Sequence, residues 1–567
     1  MSRGENLAAG DRVDPHAFER APALGALREW SVPVAASLWV VLVFLVRWPA
    51  LWEPSFVSDS MIDSAFFAYA GELVRTGGTP YITFWDHKAP LIFLLNAAAL
   101  ALGGGAVWGL WLLNVAVFIT AILLGHSAMK HAFGSTPALL GTTYFAFSVA
   151  AMMPANLTEG YVLPLQWGAV LLLVTWGSAR RSSVMLGVVL GVLGALAFFL
   201  RANLIGAAVS VGLALVIMLL AQRRTRECIA LVIGGLSGAA LVTLPLLAYL
   251  ISVGALSAFW DQAFHYNFLY SGSELRSKAG AFYFGAMRAS QYGSAVIPFV
   301  GWALYARRLW SARHDAIASP VYLLALIWLP VELLLASMAG RQYGHYFAAS
   351  CAPLALLAAA FVVEVTAIAP AVLARGQGAL VFRLLALGTA LIAVATTALH
   401  VARDKTDRER RMQVTQTAEY VRANTGEAES ILVWGHAAEV HFLSGRGPAS
   451  RFVYPLPLLT PRYADAALVS TYLHEIKTAA PRLIIDATPN ALESEDLVPS
   501  LAKWDPTWQF PKSTTGSRPW WSMTPELKSI YDYVHANYVP VETVGPKQWV
   551  VYRLAQPSSS AGSTTGR

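Results

Sequence analysis

The chain has 567 residues, 56% of them hydrophobic and only 13% charged, with a mean hydropathy of +0.51. Soluble proteins carry roughly twice that charged fraction, so the composition excludes an ordinary soluble protein and points to a polytopic membrane protein. The net charge of +7 is then a topology signal rather than a nucleic-acid footprint.

Residues 1–31 are polar and lack a small-residue cleavage site after a short apolar core, which predicts a cytoplasmic tail rather than a cleavable leader. Runs of about 20 apolar residues, the length that crosses a bilayer, follow near 32–52, 105–127, 137–154, 161–178, 184–200, 203–221, 228–252, 290–306, 318–337, 346–368 and 383–401. The run 89–103 is shorter and ends in Gly103, Gly104 and Gly105, so we read it as a half-embedded helix. With the N-terminus inside, Lys130, Arg180, Arg181, Arg223, Arg224, Arg226, Arg307 and Arg308 fall on the cytoplasmic side. The positive-inside rule then puts the first loop, 53–104, and everything after residue 401 on the far side. Cys228 and Cys351 lie in separate apolar runs without Cys or His neighbours, which argues against zinc and redox chemistry.

Beyond residue 401 the composition changes. DKTDRERRMQ reads as a charged linker or helix start. Strand-like runs follow at ILVWG (431–435), RFVYP (451–455), RLIIDA (482–487), VPVETVG (539–545) and QWVVYRL (548–554), with helix-like segments near 463–478 and 524–537. This alternation predicts a soluble α/β domain over 402–556, followed by a polar tail, 557–567, of disordered composition. Gly435 and His436 follow a strand, but no GxGxxG or Walker pattern is present. The predicted fold is a polytopic α-helical membrane domain, 32–401, of about 11 spans with a C-terminal α/β domain.

The stretch from Phe56 to Asn96 is too polar for lipid and holds Asp59, Asp63, Glu72, Asp86, His87 and Lys88. Residues 60–75 have an approximate apolar face and predict an amphipathic helix along the interface. Asp59 and Asp63 share a face near its start. One caps the helix; a half-desolvated carboxylate here has a raised pKa and suits general-base work on a hydroxyl, with Asp63 preferred over Asp59. Lys88 falls at headgroup level, where an ammonium either meets lipid phosphate or merely snorkels; Asp86 and His87 beside it are further candidates. Arg201, between two spans joined by almost no loop, needs a partner. That partner is a phosphate or a carboxylate such as Glu159. GRQYGHYF supplies Arg341, Tyr343, His345 and Tyr346, either donors for an anionic leaving group or an aromatic belt with one arginine. Asp261 and His265 are weaker candidates with a structural alternative. The sequon at 156–158 is of a kind common by chance.

DSAFFAYAG, GGTPY and WDHKAPL, in that order, resemble the first extracytoplasmic loop of bacterial C-type (GT-C) glycosyltransferases. These are the protein mannosyltransferase, aminoarabinose lipid A transferase and rhizobial galacturonosyltransferase group. NLTEGYVLPL resembles their second-loop acidic motif, and LRANL and GRQYGHYF later membrane-edge motifs, so the resemblance spans roughly residues 32–365. It implies a polyprenyl-phosphate sugar donor and inverting transfer to an acceptor glycan, lipid or protein on the far side of a bacterial inner membrane. It places Asp63 at the acidic loop position, with Lys88, Arg201, Arg341, His345 and Tyr346 toward the donor phosphate. Many relatives have two adjacent acids where this chain has Asp63-Ser64 and Glu159-Gly160, and KPP where it has Lys88-Ala89-Pro90; a metal is therefore not expected to be required. The competing readings are a lipid-linked sugar transporter, which would need ionisable groups near mid-bilayer, and a non-catalytic envelope scaffold.

Overall fold

The computed structural model describes residues 25–47, 62–152, 155–176, 182–271, 274–291, 296–312, 320–368, 405–488, 499–507 and 523–555, with scattered positions between 384 and 398. The terminal tails, Asp59 and most of the predicted span 383–401 lie outside the described residues.

Most of the helices of the membrane domain are apolar runs without a polar face, which pack against protein or lipid on every side. In chain order they are α1 (Gly25–Arg47), α2 (Ile62–Arg75), α3 (Leu91–Leu102), α4 (Trp108–Phe133), α5 (Ser135–Met152), α6 (Leu163–Trp176), α7 (Ser183–Leu200), α8 (Gly206–Ala221), α9 (Thr225–Ser252), α10 (Leu275–Gln291), α11 (Val296–Ala312), α12 (Pro320–Ser337) and α13 (Cys351–Ile368). α2 and α10 carry charged residues as well. Among the described residues, five segments are long and apolar enough to cross a membrane: α4, α7, α9, α12 and Gly344–Ala367. α7 and α9 meet along a seam of small residues. A side chain at Gly187 or Gly191 would strike the backbone of Leu231 or Gly235, the close approach that membrane helices use in place of a hydrophobic drive. The reading of 89–103 as a short helix holds as α3, with α2 packed across it at Gly71. Of the expected span 290–306, the described residues are the end of α10 and the first part of α11, and the described residues of the aromatic stretch 253–289 are largely helical, including a π turn over Asp261–His265.

The C-terminal region carries α14 (Lys405–Asn424), β1 (Ile431–Trp434), α15 (Ala438–Ser444), α16 (Ala466–Ala479), β2 (Leu483–Asp486), α17 (Lys528–Asn537), β3 (Tyr538–Val544) and β4 (Trp549–Leu554). The sheet order is β1-β2-β4-β3. β1 and β2 are parallel, with Val433 opposite Ile485, and the other pairs are antiparallel. Both parallel strands are fully buried, as strands covered on two faces should be. The charged stretch after residue 402 is a helix, α14. RFVYP is not a strand: its apolar residues are buried, but they pack toward the first loop, and the Trp85 N–H donates to the Arg451 carbonyl at 2.8 Å. One apolar core joins Phe66, Tyr81, Phe84, Trp85 and Phe93 to Trp434, Phe452, Tyr454, Leu456 and Tyr472. The chain is thus a polytopic helical membrane protein whose α/β domain sits directly on the loop between α1 and α3.

Candidate active site

The acid of interest, Asp63, stands in the first turn of α2. The turn after α5 fixes its backbone. The Asn156 side-chain amide donates to the Ser64 carbonyl at 3.0 Å, the Asn156 N–H donates to Asn114 Oδ1 at 2.7 Å, and the Tyr161 hydroxyl donates to Asn156 Oδ1 at 2.9 Å. Asn156 has φ +52°, the left-handed region that asparagine tolerates better than most residues. It is fully buried, so the sequon is a scaffold element.

Around Asp63 the structure gathers basic side chains from three distant stretches. Lys88 Nζ lies 3.5 Å and His345 Nε2 3.9 Å from Asp63 Oδ2. Lys88 Nζ also lies 3.0 Å from His87 Nε2. Arg201, in the extended residue that ends α7, pairs with Glu159 Oε1, and its guanidinium stacks 3.7 Å above the Tyr346 ring. Thr158 Oγ1 donates to the second Glu159 oxygen at 2.8 Å. The Arg341 guanidinium donates to the Tyr270 carbonyl at 2.7 Å and stacks 4.0 Å over the Tyr270 ring, which in turn lies 5.6 Å from His87. Asp63, Lys88, Arg201, Arg341, His345, Tyr346, Glu159, Asp86 and His87 therefore belong to one neighbourhood. Asp261 and His265 instead pair with each other at 3.0 Å, and Asp261 accepts from the Tyr463 hydroxyl at 2.6 Å.

Electrostatics divides these groups. Burial works to raise the Asp63 pKa, but Lys88, His345, His87 and Arg201 outweigh it and hold the carboxyl well below the usual range. The value expected to be raised is lowered instead: desolvation is the largest single influence, but the surrounding basic groups together outweigh it. Asp86 goes the other way, pushed up to about 6 by burial despite Lys88 and a hydrogen bond from Tyr454. Burial, then the Lys88 charge, push the His87 imidazole well below its ordinary value, which suits the neutral ring nitrogen that meets the Lys88 ammonium.

Two openings adjoin this cluster. A small cavity of about 40 Å³ has Asp63, Phe66, Asp86 and His87 on one side and His436, Ala437, Ala438, Tyr454 and Leu456 on the other. Its second wall belongs to the C-terminal domain, whose parallel strand β1 ends at Trp434. Open α/β sheets place ligands at such carboxyl ends. Sequence reasoning missed this wall; Gly435-His436 after a strand was the available signal, and Gly435, at φ +131°, turns there against Ala487. The other opening is an apolar groove of about 300 Å³ lined by Leu91, Leu94, Leu196, Phe199, Val242, Pro245, Leu246 and Tyr249. Leu91 and Phe199 stand three and two residues from Lys88 and Arg201 in sequence, so part of the groove's lining comes from the stretches that carry these cations. Among the described residues, no group of three or more His, Cys, Asp or Glu side chains is placed to hold a metal ion.

No family model matches the sequence, and no curated protein matches it. Solved structures do. ArnT from Cupriavidus metallidurans bound to undecaprenyl phosphate superposes with a TM-score of 0.59 at 14% identity, covering 94% of this chain and 99% of that one. The apo form of the same protein gives 0.56 at 15%, covering 91% and 98%. The Archaeoglobus fulgidus oligosaccharyltransferase tethered to an acceptor peptide gives 0.53 at 13%, covering 82% and 69%. At such identities the likeness establishes the fold alone: over nearly its whole length the chain is folded like ArnT.

Proposed function

We propose that the protein is an inverting membrane glycosyltransferase. It moves a hexosyl or pentosyl group from a polyprenyl-phosphate donor to an acceptor hydroxyl on the extracytoplasmic face of a bacterial inner membrane. The carrying observation is a carboxylate in contact with Lys88 and His345, near Arg201, with an apolar groove lined in part by the stretches that carry these cations. The groove suits a prenyl chain; Lys88, Arg201, Arg341, His345 and Tyr346 suit its phosphate. ArnT, the structural neighbour of matching length, was crystallised with undecaprenyl phosphate, which agrees with this assignment.

The resting site is not ready to react. Asp63 is the counter-ion of Lys88, with Arg201 near by, and is too weak a base while Lys88 faces it. A donor phosphate competes for those cations, and the sugar separates Asp63 from Lys88. With its counter-charge drawn away, the Asp63 pKa rises toward the range useful for proton abstraction. The acceptor hydroxyl then approaches from the small cavity beside Phe66 and His436. Asp63 takes its proton, the acceptor oxygen bonds to the anomeric carbon, and the bond from that carbon to the phosphate oxygen breaks. The electron pair leaves on the polyprenyl phosphate, where the cations stabilise it. The transition state is oxocarbenium-like, as in glycoside hydrolysis. Glu159, locked to Arg201, orients that guanidinium rather than acting as a base. The cationic side chains supply the charge this chemistry needs, so activity is expected to survive chelator.

A transporter reading draws on Glu332, a buried carboxylate within α12. It accepts from Trp328 Nε1 at 3.2 Å, whereas the cations crowd one end of the helices, which favours transfer chemistry. The test is mass spectrometry of envelope glycans and lipids from cells lacking the gene, restored with the natural protein or with Asp63→Asn. A glycoform restored only by the natural protein supports the reading; one restored equally by both defeats it.

A further inference from the structure

The four residues Trp85 to Lys88 are held from every side. Tyr81 Oη donates to the Lys88 carbonyl at 2.8 Å, Asn267 Nδ2 to the His87 carbonyl at 2.6 Å, and the Asp86 N–H to Gln262 Oε1 at 3.1 Å. Those partners come from the membrane domain. The remaining restraints come from the C-terminal domain. Trp85 N–H bonds to Arg451 O at 2.8 Å, Trp85 Nε1 donates to Tyr463 Oη at 3.0 Å, and Tyr454 Oη donates to Asp86 Oδ2 at 2.6 Å.

The last bond differs from the others. The Asp86 carboxylate is 2% exposed, and its second oxygen, Oδ1, accepts the Lys88 N–H at 2.7 Å. One buried carboxylate thus ties a tyrosine of the C-terminal domain to the backbone of the lysine that faces Asp63. The Tyr454 ring is itself fixed, edge-on to Phe66 at 5.1 Å and stacked on His436 at 5.2 Å. Without the hydroxyl, Asp86 Oδ2 would lack that partner inside an apolar core, and the carboxylate would turn to seek another. Lys88 would lose the anchor of its N–H.

We propose that Tyr454 is a positioning residue for the donor phosphate, acting through Asp86 on Lys88, so that the C-terminal domain sets the affinity of the membrane domain for its lipid substrate. This rests on the reading of Lys88 as a phosphate ligand. It gives the C-terminal domain a task in donor binding as well as a wall on the acceptor side. Tyr463, which binds the same loop without touching Asp86, has no such task.

The experiment uses the full chain in nanodiscs and undecaprenyl phosphate as the probe. Binding is measured for the natural protein, Lys88→Ala, Tyr454→Phe, the double variant and Tyr463→Phe. Lys88→Ala is expected to weaken binding by about 10- to 100-fold, the loss of one charge-assisted contact. Tyr454→Phe is expected to weaken it roughly 5- to 10-fold where Lys88 is present, and not at all where Lys88 is already alanine, the non-additivity of two residues on one path. Tyr463→Phe should bind like the natural protein. If Lys88→Ala leaves binding intact, the phosphate reading fails and takes this inference with it. If Lys88→Ala weakens binding while Tyr454→Phe has no effect, or an effect that simply adds, the inference alone is overturned. Transfer kinetics supply a second readout: Tyr454→Phe should raise KM for the donor more than it lowers kcat, and Asp86→Asn, which keeps an acceptor for the Lys88 N–H, should restore part of what Asp86→Ala loses.

Discussion

Asp63 and Asp86 lie on the same stretch of chain and both face Lys88, yet their surroundings act on them in opposite directions. Asp63, 37% exposed at its side chain, is held by loose contacts of 3.5 and 3.9 Å and stays ionised far below the usual range. Asp86, 2% exposed, is held by tight bonds of 2.6 and 2.7 Å and is pushed up to about 6. Loose contacts between charges can be exchanged for a substrate; short bonds in a dry core cannot. The first carboxylate is built to change partners and the second to keep them.

The largest effect that would break this contrast is on transfer itself. Asp63→Asn is expected to reduce turnover by roughly 10²–10⁴-fold, the usual contribution of a general base, while undecaprenyl phosphate still binds. Turnover of purified protein within a few-fold of normal would remove Asp63 from the chemistry. Next is Glu159→Gln, which leaves Arg201 beside Tyr346 without its carboxylate. Breaking one side of a buried pair costs about 3–5 kcal/mol, so a marked fall in the thermal midpoint in detergent is expected, along with weaker lipid binding. An unchanged midpoint would make the Glu159–Arg201 pair dispensable.

Asp86 gives a subtler effect in pH. Its folded pKa lies above its unfolded value, so its contribution to stability is full below the ordinary 3.8 and lost as the pH rises through about 6. The groups facing it are Lys88, Tyr454, Asp63 and Tyr81. At pH 8 the buried charge therefore costs about 3 kcal/mol, at roughly 1.4 kcal/mol per pKa unit. Asp86→Asn should match or exceed the natural protein in thermal midpoint at pH 8 and lose that advantage at pH 4, while binding lipid phosphate less well. A variant less stable at pH 8 would show that Asp86 serves the fold rather than the site. Asp63 has the opposite sign: its contribution is present above 3.8 and lost only as the pH falls through its depressed folded value. Asp63→Asn should thus lower the midpoint slightly at pH 8. The smallest expected effect is that of chelator, with transfer rates unchanged within error; a rate abolished by chelator and restored by a divalent ion would replace the cation cluster with a metal.

Much of the site was legible because its residues broke the local rule. Ionisable groups inside an apolar chain are costly, so Asp63, Lys88, Arg201, Arg341 and His345 stood out one by one, and their convergence followed from placing them at one edge of the helices. The sign of the Asp63 shift was not legible, since it depends on distances to basic groups up to 282 residues away, and single-residue reasoning weighs only burial. The strand pattern of RFVYP misled for a related reason. Its apolar residues are buried by another part of the chain, and periodicity cannot tell a neighbouring strand from a neighbouring loop. The part played by Tyr454 had no local mark at all: a tyrosine in an apolar run is ordinary until its partner is known.

The partner of Asp86 is synthesised 368 residues after it. A ribosome that has finished every helix through α13 has therefore made a bundle whose Lys88 backbone still lacks one of its supports, with Trp85 missing both Tyr463 and the Arg451 carbonyl. On the reading above, the nascent enzyme would meet lipid phosphate poorly until its C-terminal domain has emerged and docked. Substrate capture would then wait on the folding of that domain.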